Sequence, residues 1–127
     1  IFHKDDHTFS DIRSYYDDDF QTCYQNIIND METYKDVKGP KGKEGQPPNF
    51  FCISCVPWMD FTGYSTWVPT GRPNLFPIIT FGKYVEEEGR RKLSAALTIS
   101  HASADGYHAS MFFERLQEVL DEFVIDQ

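Results

Sequence analysis

Ser100-His101-Ala102-Ser103-Ala104-Asp105-Gly106-Tyr107-His108 joins two different hydrophobic rhythms. Lys92 to His101, which leads into it, reads as a strand. Beyond it Phe112, Leu116, Val119, Leu120 and Phe123 recur at helical spacing, which predicts a helix over 107–124. Asp105 stands where a helix N-cap is expected, and Gly106 permits a tight turn. A buried strand therefore ends at His101, and the polar side chains of the join fall at the rim of a sheet. An imidazole fixed there can serve as a general base near pH 7, where it is largely neutral.

Upstream, Leu75 to Val85 is a second strand and Glu86 to Arg91 a charged turn, so 75–101 predicts a hairpin. Residues 50–56 read as a buried strand. Pro57, Gly63, Pro69, Gly71 and Pro73 make 57–74 an irregular loop, with a short strand near 64–68. The Gly-, Pro- and Lys-rich stretch 37–48 is a solvated loop that lacks a phosphate-binding pattern. Ser10 is a candidate N-cap. Phe20, Tyr24, Ile27, Ile28, Met31 and Tyr34 then form one apolar face, which predicts a helix over 10–35. Asp17, Asp18 and Asp19 read as solvated surface near its first turns. The order helix, strand, strand, strand, helix predicts an α/β fold: a two-layer sandwich with helices on a mixed sheet.

Composition narrows the function. The 127 residues are 40% hydrophobic and 16% aromatic, which suits one domain with a core and excludes a disordered chain. No apolar run reaches the length of a membrane span, and no apolar signal core follows Ile1. Twenty acidic against twelve basic residues give a net charge of -8, which disfavours nucleic acid and anionic membranes as partners. Three cysteines are too few for a disulfide scaffold. Cys52 and Cys55, three apart on a strand, point to opposite faces, so they read as reduced structural residues of a cytoplasmic protein. Because Ile1 is not Met and apolar residues appear at once, the chain is expected to begin inside a fold.

The residues alone leave two roles for His101, a hydrogen-bonded core histidine or a base. Asp105 is an N-cap in either case. His101, Asp105 and His108 straddle a strand-turn-helix junction without a fourth ligand, which argues against a metal.

These residues carry a resemblance. Ser100 to His108 is similar to the H-H-A-x-x-D-G-[FY]-H motif of the chloramphenicol acetyltransferase family. Four more segments match in order. Phe2-His3 with Thr8-Phe9-Ser10 resembles F-H-x-x-x-x-T-F-S, and Ile53-Ser54-Cys55-Val56-Pro57-Trp58 resembles I-S-x-x-P-W. Ile78 to Tyr84, with the turn after it, resembles I-T-x-x-K-[YF], and Leu116-Gln117 matches the L-Q of the last helix. The dihydrolipoyl acyltransferases share D-G but lack the P-W and F-H-T-F-S segments.

The resemblance spans nearly the whole chain and corresponds to the C-terminal part of one family domain, incomplete without its N-terminal part. It implies the CoA-dependent acyltransferase fold and acetyl transfer from acetyl-CoA to a hydroxyl of chloramphenicol, without a metal. It also implies a homotrimer with each site between subunits, His101 coming from one chain and most of the acceptor pocket from the next. By the same resemblance His101 is the general base, Ser54 donates to the oxyanion, Thr80 holds a water, and Asp105 organises the turn. Lys83 answers a phosphate of CoA and Tyr84 flanks its adenine. Cys52, Tyr64, Thr66 and Ile78 line the acceptor pocket.

Bland readings stand beside these, an exposed strand lysine for Lys83 and core packing for Tyr64. Ser100 replaces the first histidine of the motif. Thr66, with Trp67 after it, stands where the family is usually apolar, which leaves the acceptor open. The alternatives are an acyltransferase of the same fold with another acceptor, or a non-catalytic fragment acting in assembly or binding.

Overall fold

The computed structural model describes residues 1–39, 45–66 and 75–123. It divides into two compact units, Ile1–Pro48 and Asn49–Gln127.

In the first unit β1 (Phe2–His3) and β2 (Thr8–Phe9) form an antiparallel hairpin, with Phe2 opposite Phe9 and His3 opposite Thr8. The two phenylalanine rings meet at 5.1 Å between centroids. Ser10 does not start a helix. Its N–H donates to the Ile1 carbonyl at 2.9 Å, and its Oγ lies 2.7 Å from His3 Nε2 in a buried pair. A hydroxyl committed to His3 is not available to cap a helix. The first helix, α1 (Phe20–Thr33), begins instead at Asp19, whose carboxylate accepts from Thr22 N–H at 2.8 Å. Asp17 in turn accepts from Asp19 N–H at 2.9 Å. The acidic cluster is exposed as expected, and it also starts the helix.

The second unit holds a three-stranded mixed sheet in the order β3 (Cys52–Cys55), β4 (Ile78–Phe81), β7 (Ala95–Thr98). β3 runs parallel to β4, and β4 antiparallel to β7. Between β4 and β7 the chain makes a smaller hairpin, β5 (Val85–Glu87) and β6 (Arg90–Lys92). Its turn residues Glu88 and Gly89 both have positive φ, 51° and 74°, the left-handed pair of a two-residue hairpin turn. The two ladders do not continue in register. Gly82, Lys83 and Tyr84 on the outgoing side face only Leu93 and Ser94 on the return, so one extra residue is inserted there. Such a bulge re-aims the side chains that follow it.

α2 (Gly106–Glu122) follows β7. A groove lined by Phe81, Leu93 and Ala95 on one side and by Phe113, Leu116, Gln117 and Leu120 on the other shows which face of the sheet it covers. Leu116 and Leu120 of the expected stripe line this groove, whereas Phe112, Val119 and Phe123 do not. Side chains alternate along each strand, so Cys52, Ser54, Ile78 and Thr80 share the opposite face.

Further expectations are corrected. Residues 50–56 are not a buried strand: among the described residues β3 has a neighbour on one side only, and Ile53, Ser54 and Cys55 are exposed. The strand leading to the join ends at Thr98, leaving His101 exposed in a turn. Among the described residues no apolar side chain is fully buried, so the apolar content does not close a core here. Residues 64–66 form no strand, while Trp67 and the rest of the 67–74 loop lie outside the described residues, as do 40–44 of the 37–48 loop.

Candidate active site

The sheet brings four of the expected residues together. Ser54 stands opposite Thr80 and Cys52 opposite Ile78, in register and on the face away from α2. β4 is flanked on both edges, and Thr80 is the largest fully buried side chain, 1% exposed. Its Oγ1 is buried without a hydrogen-bond partner. Buried hydroxyls are normally satisfied, so this one is an unusual, unpaired polar group beside Ser54.

His101 lies beyond the end of β7, at the end of the sheet where β3 and β4 begin. Its Nδ1 is 3.1 Å from the Ala104 carbonyl. A carbonyl only accepts, so Nδ1 carries the proton and donates. The neutral tautomer that this contact selects has its lone pair on Nε2. Ser103 and Ala104 N–H groups both donate to the Ser100 carbonyl, at 2.8 and 3.1 Å, which closes this turn. Among the described residues no hydrogen bond joins His101 to Ser54 or Thr80.

Asp105 caps α2. Its carboxylate accepts from Tyr107 N–H at 3.1 Å and His108 N–H at 3.3 Å. His108 Nδ1 lies 2.7 Å from the same oxygen, and the Asp105 N–H faces that ring nitrogen at 3.5 Å, the reciprocal contact of a capping box. These donors, the His108 backbone first and its ring second, hold the carboxyl below its ordinary pKa. Asp105 is thus one peptide bond from the carbonyl that orients His101. The role of His108 was missed from sequence, where it stood only as a metal candidate. Its position three residues after an N-cap is the signal that finds it. Among the described residues no three His, Cys, Asp or Glu side chains are placed to hold a metal. No helix among them is long and apolar enough to cross a membrane.

The bulge carries Lys83 and Tyr84. Lys83 N–H donates to the Met59 carbonyl at 2.8 Å, and Val56 N–H to the Phe81 carbonyl at 2.8 Å. The chain after β3 is thereby tied alongside the bulge. Gly82 makes the approach feasible: a Cβ there would lie 3.0 Å from Phe61 Cε1 and 3.2 Å from the Met59 carbonyl oxygen. Tyr84 is 54% exposed, with its ring under the Arg91 guanidinium. Tyr64 and Thr66 are both exposed, and the Tyr64 ring packs 5.5 Å from that of Phe61. Contact with Phe61 ties Tyr64 to the segment beside Gly82 without burying it.

The chloramphenicol acetyltransferase family matches residues 1–117. A chloramphenicol acetyltransferase of Clostridium perfringens is 37% identical over 123 residues, covering 97% of this chain and 56% of its own length. One of Bacillus pumilus is 38% identical over 129 residues, covering 99% of this chain and 59% of its own. The chain thus spans somewhat more than half the length of these relatives. A solved chloramphenicol acetyltransferase superposes with a TM-score of 0.69 at 25% identity, over 91% of this chain and 56% of its own. With the mixed sheet and the helix on one face, these matches establish that the chain belongs to the chloramphenicol acetyltransferase family.

Proposed function

We propose that this chain is the C-terminal part of one acetyltransferase domain, which moves an acetyl group from acetyl-CoA to a hydroxyl of chloramphenicol or a similar alcohol in the cytoplasm. The observation that carries the reading is the register of Ser54 against Thr80 on the face that α2 does not cover, with the Thr80 hydroxyl buried and unpartnered.

The roles follow from donor and acceptor capacity. The thioester supplies the acyl group. His101 Nε2, basic because Nδ1 donates to the Ala104 carbonyl, takes the proton of the acceptor hydroxyl as that oxygen attacks. Ser54 donates its hydroxyl to the oxygen on which negative charge develops. Thr80 offers its spare hydroxyl to a water at the same centre. Asp105 is a positioning residue, because it fixes the start of α2 next to the carbonyl that orients His101. Lys83 and Tyr84 receive the nucleotide end of CoA, and Cys52, Tyr64, Thr66 and Ile78 the acceptor. The family membership supports the further reading of a homotrimer, with His101 from one subunit and most of the acceptor pocket from the next.

Thiol release from acetyl-CoA, measured with chloramphenicol and a panel of alcohols, tests this. His101→Ala should lower turnover by about 10²–10⁴ without unfolding the protein, since the ring is exposed. Ser54→Ala should lower kcat by roughly 10²–10³. A folded His101→Ala protein with near-normal turnover refutes the base. Activity confined to other alcohols moves the acceptor and keeps the reaction.

A further inference from the structure

His108, in the first turn of α2, has no part in these steps, yet it bears on the peptide group that orients His101. The Ala104 carbonyl, which accepts from His101 Nδ1 at 3.1 Å, and the Asp105 N–H are the two ends of a single planar peptide. The Asp105 N–H faces His108 Nδ1 at 3.5 Å. The two imidazoles thus stand at opposite ends of one rigid unit. The same His108 nitrogen lies 2.7 Å from Asp105 Oδ1. With its pKa held low, by the His108 backbone first and the His108 ring second, the carboxyl is ionised and only accepts. His108 Nδ1 therefore carries a proton and donates it to this contact. At 2.7 Å this is the firm hold, since 3.5 Å is the outer limit of a hydrogen bond. The other two donors to the carboxylate, Tyr107 N–H and His108 N–H, belong to the helix backbone and persist whatever side chain stands at position 108. The ring is the donor that a substitution can remove.

We propose that His108 is a positioning residue for acetyl transfer: by holding Asp105 it fixes the plane of the Ala104–Asp105 peptide and, through that peptide, the ring of His101. The proposal rests on the acetyltransferase reading and adds to it a residue that touches neither substrate. His101 is exposed, so its ring depends on the bond to the Ala104 carbonyl for its orientation. A peptide free to rock about its flanking torsions carries the imidazole with it. A displaced carbonyl also stops selecting the tautomer. A neutral ring with its proton on Nε2 has no lone pair there to receive the proton of the acceptor hydroxyl.

The test takes two readouts from the full-length protein. His108→Phe keeps a ring and its edge contact with Tyr107 but has no nitrogen. It should lower kcat about tenfold, with KM for acetyl-CoA and chloramphenicol within about twofold. Two-bond nitrogen–proton NMR at about pH 8, where free imidazoles are neutral, should show wild-type His101 protonated at Nδ1 and the Phe variant as a mixture of tautomers. His108→Asn, whose amide offers a donor and an acceptor in the same place, should restore kcat to within about twofold and return the His101 proton to Nδ1. A folded Phe variant with wild-type kcat or an unchanged His101 tautomer overturns the proposal, as does an Asn variant no better than Phe. If His108→Phe does not fold, His108→Ala takes its place under the same criteria. Wild-type protein that transfers acetyl to no alcohol overturns the acetyltransferase reading instead. The tautomer comparison needs no turnover and still decides whether His108 sets the His101 ring.

Discussion

Thr80→Val should leave the protein as stable as before, or more stable, while lowering acetyl transfer. The Thr80 side chain is 1% exposed, and its Oγ1 has no partner. An unsatisfied buried hydroxyl costs about 1–3 kcal/mol. Valine keeps the shape, opens no cavity, and suits a strand interior at least as well as threonine. Where a water reaches the hydroxyl, part of the penalty is already relieved, so the expected gain is about 0–2 kcal/mol. Urea unfolding followed by circular dichroism should show an equal or higher midpoint at unchanged slope. At the upper end the melting temperature should rise by several degrees, since about 1 kcal/mol is worth roughly 4–8 °C in a unit of this size. The same preparation should release thiol more slowly. A loss of more than about 1 kcal/mol would mean that the hydroxyl is bonded inside the folded chain, and the reasoning would fail. Stability gained as activity falls is the mark of a polar group kept for its chemistry.

Gly82→Ala should destabilise the second unit by about 1–3 kcal/mol, because the new Cβ meets the Phe61 ring and the Met59 carbonyl oxygen with no room to spare; denaturant unfolding checks it, and a change under about 0.5 kcal/mol would refute the close approach. In the first unit, the Asp6 carboxyl is held down to about 2 from an ordinary 3.8, chiefly by the Lys38 ammonium and then by the Thr8 hydroxyl. The folded pKa is depressed, so this contribution is complete above the unfolded value and is lost as pH falls from about 3.8 toward 2. A carboxyl NMR titration of the Lys38→Met variant should show the Asp6 midpoint rising toward 3.8, and an unmoved midpoint would assign the shift elsewhere.

Much of this arrangement was legible in the residues. The alternation that set Ser54 beside Cys52 and Thr80 beside Ile78 needs only the period of a strand, and the pairing preserved it. The start of α2 was legible because Asp105 and Gly106 are strong local signals. Ser10 misled because an N-cap hydroxyl looks the same whether it bonds a helix N–H or, as here, a histidine seven residues earlier. β3 misled because its apolar composition announces a strand but not how many neighbours it has. The bulge at Gly82–Tyr84 was invisible, since an inserted residue shows only against a partner strand. Arg91 over Tyr84 was hidden by the same register.

The nesting of β5–β6 inside β4–β7 also sets an order of assembly. The Glu88-Gly89 turn brings Glu87 to Arg90 across the shortest possible loop, and hairpins of this kind close in about 1–10 μs. Each later rung, from Val85–Lys92 out to Ile78–Thr98, closes only a slightly longer loop and can zip from the one before. β3 cannot join that zipper. It runs parallel to β4 and must arrive across the whole of the intervening connection, the kind of non-local pairing that slows folding. By this reasoning Ser54 meets Thr80 after the hairpin has closed. Until then the edge of β4 that will receive β3 stays open, and a nascent chain is most vulnerable to pairing with another molecule there.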